Sequence, residues 1–137
     1  PYAIAMLGDS LTSYGEWNIL LKRDDVMNFG IAGDTSEKML RRVTANPIKG
    51  KTIFVMTGIN DLSHHVSPAA VAENIASIID LLDETNTVFL QSTLFTRDAR
   101  LNETVADLNT ALKLICLEQK CTYLDINAGV APSERVY

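Results

Sequence analysis

The chain has 137 residues, 47% of them hydrophobic and 21% charged, with a formal net charge of −5. That is one ordinary domain with enough apolar content for a core that needs no covalent staples. The acidic balance weighs against nucleic acid and anionic membrane as partners, since both call for a basic surface, and no apolar run approaches the roughly 20 residues of a membrane span.

Taken in order, the first apolar run is Ala3–Leu7, read as a buried strand. It follows Pro1 almost at once, with no signal peptide and no initiator Met. The N-terminus therefore reads as trimmed and leaves the compartment open, the cytoplasm being slightly favoured. Trp17 to Lys22 reads as a brief helix, and Asp25–Phe29 as the second strand. A helix is expected over about Thr35 to Thr44, burying Met39, Leu40 and Val43. Thr52–Thr57 is the third strand. Ser67 is a good N-cap and Pro68 suits a first helical position, so a helix is expected from Pro68 to about Glu84. Its apolar face is Val71, Ile75, Ile78, Ile79 and Leu82. Thr87–Gln91 is the fourth strand. A helix over about Leu101 to Gln119 follows, with Leu101, Val105, Leu108, Leu112 and Ile115 as its stripe. Thr122–Ile126 is the fifth strand. Cys116 and Cys121 are expected to be two buried thiols, because a short disulfide framework normally needs four or more cysteines. No further Cys or His lies near them to complete a metal site.

Strands separated by helices imply parallel pairing through right-handed crossovers. The expected fold class is α/β: one domain over residues 1–137, a three-layer α/β/α sandwich of five parallel strands in the order 2-1-3-4-5. Such a sheet is covered on both faces, and ligands bind where the strand order reverses.

Three unusual segments each follow a strand: Gly8-Asp9-Ser10-Leu11, Asn28-Phe29-Gly30-Ile31-Ala32-Gly33-Asp34-Thr35 and Gly58-Ile59-Asn60-Asp61. In a parallel sheet they share one edge, and the order 2-1-3 makes them neighbours. Ser10 supplies a hydroxyl at the start of a helical turn, where backbone amides are unpaired. Gly33 lets a backbone N–H approach a ligand with no Cβ in the way. Asn60 offers a side-chain NH2. A nucleophile beside three donors is a layout for acyl transfer, the donors holding the oxyanion. Each segment has a plainer reading as a turn or cap, and Gly30 and Gly33 also suit a phosphate cradle.

These three segments resemble the first three blocks of the GDSL (SGNH) hydrolase family, in the family's order, and the strand–helix pattern continues the likeness to about Asn127. The resemblance implies the flavodoxin-like fold of that family and a serine esterase, lipase or thioesterase without metal or organic cofactor. It implies Ser10 as nucleophile, and as oxyanion donors the N–H groups of Ser10 and Gly33 with the side chain of Asn60. Asp9 is then a supporting residue that orders its loop, and Asp34 and Asp61 are local turn residues. Asn-Phe-Gly-Ile-Ala-Gly-Asp-Thr is similar to the branch with platelet-activating-factor acetylhydrolase-like and carbohydrate acetylesterase-like proteins, which favours a small-molecule ester with a short acyl group.

A serine hydroxyl needs a neighbour to take its proton. In the family an Asp-x-x-His after the fifth strand provides it, yet residues 127–137 contain no histidine. The expected explanation is a chain truncated before its base and a last helix, with the catalytic Asp and His beyond Tyr137 and apolar surface exposed near the first strand. His64 and His65 read as surface residues, with a rebuilt base or substrate contact as alternatives. The loop from Ser92 to Arg100 is expected to form one pocket wall, with Arg97 or Arg100 as candidate substrate contacts. The competing functions are a noncatalytic acyl- or carbohydrate-binding module and a flavodoxin-like phosphate binder.

Overall fold

The computed structural model describes residues 2–130. Five parallel strands form one sheet in the order β2-β1-β3-β4-β5: β1 Ile4–Gly8, β2 Val26–Asn28, β3 Thr52–Met56, β4 Thr87–Gln91 and β5 Thr122–Leu124. This is the expected order, with strands 1 and 3 paired in register from Ile4↔Thr52 to Gly8↔Met56. Seven helices lie among the described residues: α1 Ser10–Ser13, α2 Trp17–Leu20, α3 Ser36–Ala45, α4 Ile59–Ser63, α5 Pro68–Leu82, α6 Ala99–Glu118 and α7 Asn127–Val130.

The caps explain the helix starts. Ser67 accepts from the Ala70 N–H, with Pro68 in the first turn, as the sequence predicts. Thr35 accepts from the Lys38 N–H and so opens α3. Asp98 takes the N–H groups of Arg100 and Leu101, which starts α6 two residues before the apolar stripe does. Short polar side chains satisfy the orphan donors of a first turn in this way.

One core holds the fold. Val71, Ile75, Ile78, Ile79 and Leu82 of α5 are fully buried, together with Met39 of α3 and Val105, Leu108 and Leu112 of α6. They pack with Ile53 and Val55 of β3 and Val88 and Leu90 of β4. Alternation along a strand sends the next residues to the opposite face. There Phe54 and Phe89 are half-buried and stack, ring centroids 4.9 Å apart. The continuous burial expected of β3 and β4 is thus found on one face only. Ala5, Met6 and Leu7 of the first strand are buried, while Met27, which pairs with Ala5, and Leu11 and Ile31 in the adjoining loops are exposed, so apolar surface lies open near that strand as expected. No helix among the described residues is long and apolar enough to cross a membrane.

The thiol expectation is overturned: Cys116 and Cys121 form a disulfide, with Cα atoms 4.8 Å apart. Cys116 sits in the last turn of α6 and Cys121 just before β5, so the intervening turn itself brings them within bridging range. Two cysteines five residues apart need no framework to pair. Disulfides are rare in the cytosol, which weighs against that compartment. Replacing both cysteines by serine is expected to lower stability by about 2 kcal/mol, the loop-entropy value for so short a closure, measured by urea unfolding. An unchanged midpoint would show that the bridge does not constrain the unfolded chain.

Candidate active site

The three loops after β1, β2 and β3 are tied to one another by hydrogen bonds. Asp9 caps α1, its carboxylate accepting from the Leu11 N–H at 3.3 Å. Ser10 is therefore the first residue of that helix, and its N–H has no intrahelical partner. The Ser10 side chain makes no hydrogen bond among the described residues.

The second loop is bound to the first through Asn28. Its amide donates to the carbonyls of Thr12, Ser13 and Gly15 at 3.0, 3.0 and 3.2 Å. Its oxygen accepts from the Gly30 N–H at 2.8 Å. The Ile31 N–H reaches the Gly8 carbonyl at 3.0 Å. The approach is so close that a Cβ on Gly30 would lie 2.3 Å from the Ser13 nitrogen, so only glycine fits. Gly33 is glycine for a different reason. Its φ is +78°, and a Cβ there would meet nothing within 4 Å. The residue is exposed, and no backbone hydrogen bond from its N–H is seen among the described residues.

The third loop closes on the second. Asn60, on α4, donates from Nδ2 to the Asp34 carbonyl at 2.9 Å. One proton of the NH2 is used and the other is left for a ligand. Asp61 and Asp34, expected to be local turn residues, act over longer range. Asp61 receives the N–H and hydroxyl of Ser36 at 2.9 and 2.8 Å, and the Ser36 hydroxyl accepts from Asn74 on α5. Asp34 pairs with Arg42 at 2.5 Å, and Arg42 also donates to the Phe29 carbonyl. Sequence reasoning missed Ser36, Arg42 and Asn74. The only signal was Arg42 placed two turns into a helix that begins just after Asp34.

The region after β3 is helix α4. His64 caps its end, with Nδ1 2.6 Å from the Asn60 carbonyl. A carbonyl only accepts, so Nδ1 carries the proton. His64 and His65 are both exposed, and neither bonds Ser10. Residues 131–137 lie outside the described residues, as does the base expected beyond Tyr137.

A cavity of about 150 Å³ opens between these loops and the loop after β4. Asp9, Leu11, Met56, Thr57, Ile59 and residues 93–96 line it, whereas Ser10, Gly33 and Asn60 are not among its lining residues. The expected wall from the fourth loop is present. Arg97 and Arg100 do not line this cavity; Arg100 faces a separate groove with His65.

Three carboxylates, Asp9, Asp34 and Asp61, are nearly fully buried at this edge. Burial raises the Asp9 pKa above its ordinary value; the Leu11 N–H opposes this, and the charges of Asp34 and Asp61 add to it. A carboxyl with a raised native pKa binds its proton more tightly when folded. Stability therefore falls as pH rises from the usual carboxylate range through the raised value. Asp9→Asn keeps a capping oxygen and removes the titration. It is expected to match the parent near about pH 4 and to gain on it toward about pH 7 in urea midpoints, whereas Asp9→Ala loses about 1 kcal/mol with the cap. A pH-independent gap between the Asn variant and the parent would contradict this.

Comparison with solved structures returns the same fold. A Streptococcus pneumonia protein described as a platelet activating factor superposes with a TM-score of 0.79 at 21% identity, covering 89% of this chain and 64% of its own. The chain thus spans just under two thirds of that relative. AlinE4, an SGNH-hydrolase family esterase, gives 0.78 at 21% identity, with 95% and 79% covered. A catalytic mutant of Axe2, an acetylxylan esterase from Geobacillus stearothermophilus, gives 0.73 at 17%, with 90% and 75% covered. The curated proteins contain no match. The model of the GDSL-like lipase/acylhydrolase family matches residues 6–136, which take in all three loops, and the chain belongs to that family.

Proposed function

We propose that this protein hydrolyses carboxylic esters of a short acyl group through an acyl-serine intermediate, with Ser10 as the nucleophile. The observation that supports this best is the Asn60–Asp34 bond, which ties the Asn60 side chain to the residue after Gly33, in a loop itself bound to the one that carries Ser10. In the proposed reaction Ser10 Oγ attacks the acyl carbon and its proton passes to a base. The oxyanion is held by the N–H groups of Ser10 and Gly33 and by Asn60 Nδ2. The tetrahedral species collapses, the alcohol departs with the proton, and water repeats the sequence to free the acid. The cavity volume supports the short acyl group, since pockets for drug-sized ligands run to roughly 300–1,000 Å³. The relatives described as an esterase and an acetylxylan esterase are in keeping with it.

A fluorophosphonate probe on the full-length protein is expected to label Ser10, and Ser10→Ala to lose both labelling and at least about 10⁴-fold in kcat. Folded protein that stays unlabelled while binding acyl or sugar ligands would favour the noncatalytic module instead. Asn60→Ala is expected to reduce kcat by about 10²–10³ with KM little changed, since the donor acts on charge that appears only in the transition state. Gly33→Ala places a methyl group in open space at positive φ. It is expected to lose activity and about 1–2 kcal/mol of stability.

A further inference from the structure

We propose that Phe95 sets the upper limit on acyl chain length by separating the cavity between the loops from a second, larger one; this rests on the esterase reading above, in which the first cavity takes the acyl group. The first cavity, of about 150 Å³, is bounded by Asp9 and Leu11 of the loop that carries Ser10, by Ile59 of α4 and by residues 93–96. The second, of about 330 Å³, is bounded by Ala106 and Asn109 of α6, by Tyr123 of β5, and by Asn127 and Ala128 of α7. Phe95 is the one residue that lines both. It is half-buried and packs against the hydrophobic core.

The main chain around Phe95 is held by two asparagines that line the second cavity. Asn109 accepts from the Thr93 N–H at 2.7 Å and donates to the Thr93 carbonyl at 2.9 Å. Asn127 accepts from the Phe95 N–H at 3.2 Å and donates to the same Thr93 carbonyl at 2.9 Å. All four bonds are made to backbone groups of residues 93 and 95, so a smaller side chain at position 95 keeps every one of them. What such a change removes from the partition is the ring. The same bonds engage both asparagine amides, so an alkyl chain entering the second cavity leaves no amide newly unpaired. It meets the apolar surface of Ala106, Tyr123 and Ala128, where burial of methylene groups is favourable. An acyl group that ends at the ring fits the first cavity; a longer one has to displace the ring from its seat on the core, against close packing.

The test measures kcat/KM for acetyl, butyryl and octanoyl esters of one alcohol on the full-length protein. The esters differ in intrinsic reactivity, so the readout is the octanoyl-to-acetyl ratio relative to that of the parent, which cancels the difference. Phe95→Ala is expected to raise the ratio at least about tenfold, the low end of what one methylene gains or loses in a hydrophobic pocket. Phe95→Leu is expected to raise it by less, and it carries the test if the alanine variant does not fold. Ala106 lines the second cavity and not the first. Ala106→Phe added to Phe95→Ala is therefore expected to fill the opened space and return the ratio to near the parental value. An unchanged ratio in a folded Phe95 variant overturns the proposal. So does a raised ratio that persists in the double variant, since a general loosening of the loop would then be what admits the longer chain. Fluorophosphonate labelling of the same samples separates the two readings. Labelled protein with an unchanged ratio sinks the Phe95 assignment alone, whereas folded parent protein that stays unlabelled sinks the esterase reading and this proposal with it.

Discussion

A backbone amide and a side-chain amide can serve one oxyanion only if the loops that carry them are held within an ångström or so of each other. Here that constraint falls on the link between the second and third loops. Asn60 reaches the Asp34 carbonyl, and one residue on, Asp61 takes both the N–H and the hydroxyl of Ser36. Ser36 is the first residue of α3 and Asp61 lies in α4, so two helix starts are clamped across the mouth of the sheet. The first loop is held just as tightly by Asn28, whose single side chain meets three carbonyls. The three loops are thus tied to one another by the side chains of Asn60, Asp61 and Asn28.

That rigidity has an electrostatic consequence. Three carboxylates are buried at one edge, and among the described residues only Asp34 has a cationic partner within ion-pair distance. Asp61 is compensated instead by hydrogen bonds from Ser36, and burial holds the Asp9 pKa above its ordinary value. Each carboxylate has its own partner: Asp61 is bonded to Ser36, Asp34 to Arg42 and Asp9 to the Leu11 N–H.

The strand order, the helix faces and the positions of Ser10, Gly33 and Asn60 could be read from the sequence because each rests on local periodicity or on a residue type with one physical use. Val71 to Leu82 spells a helix face whatever packs on it, and Gly33 is tolerated at positive φ where a larger residue is not. What could not be read depends on distance through space. Asp61 and Ser36 are 25 residues apart, and nothing in their flanking sequence announces the pairing. Cys116 and Cys121 were misread because the reading weighed the number of cysteines and not the turn between them.

The same three-dimensional view joins the far edge of the sheet to the site. β5 is a three-residue edge strand, and short edge strands hold by few ladder bonds. Its start is tied to α6 by the disulfide. Its end is tied to the loop after β4: the Ser92 N–H donates to the Leu124 carbonyl, the Ile126 N–H donates to Ser92 Oγ, and the Asn127 side chain bonds the Phe95 N–H and the Thr93 carbonyl. Thr93 and Phe95 also line the cavity between the loops, so Ser92 and Asn127 fix the point at which the chain leaves β5 against a wall of that cavity.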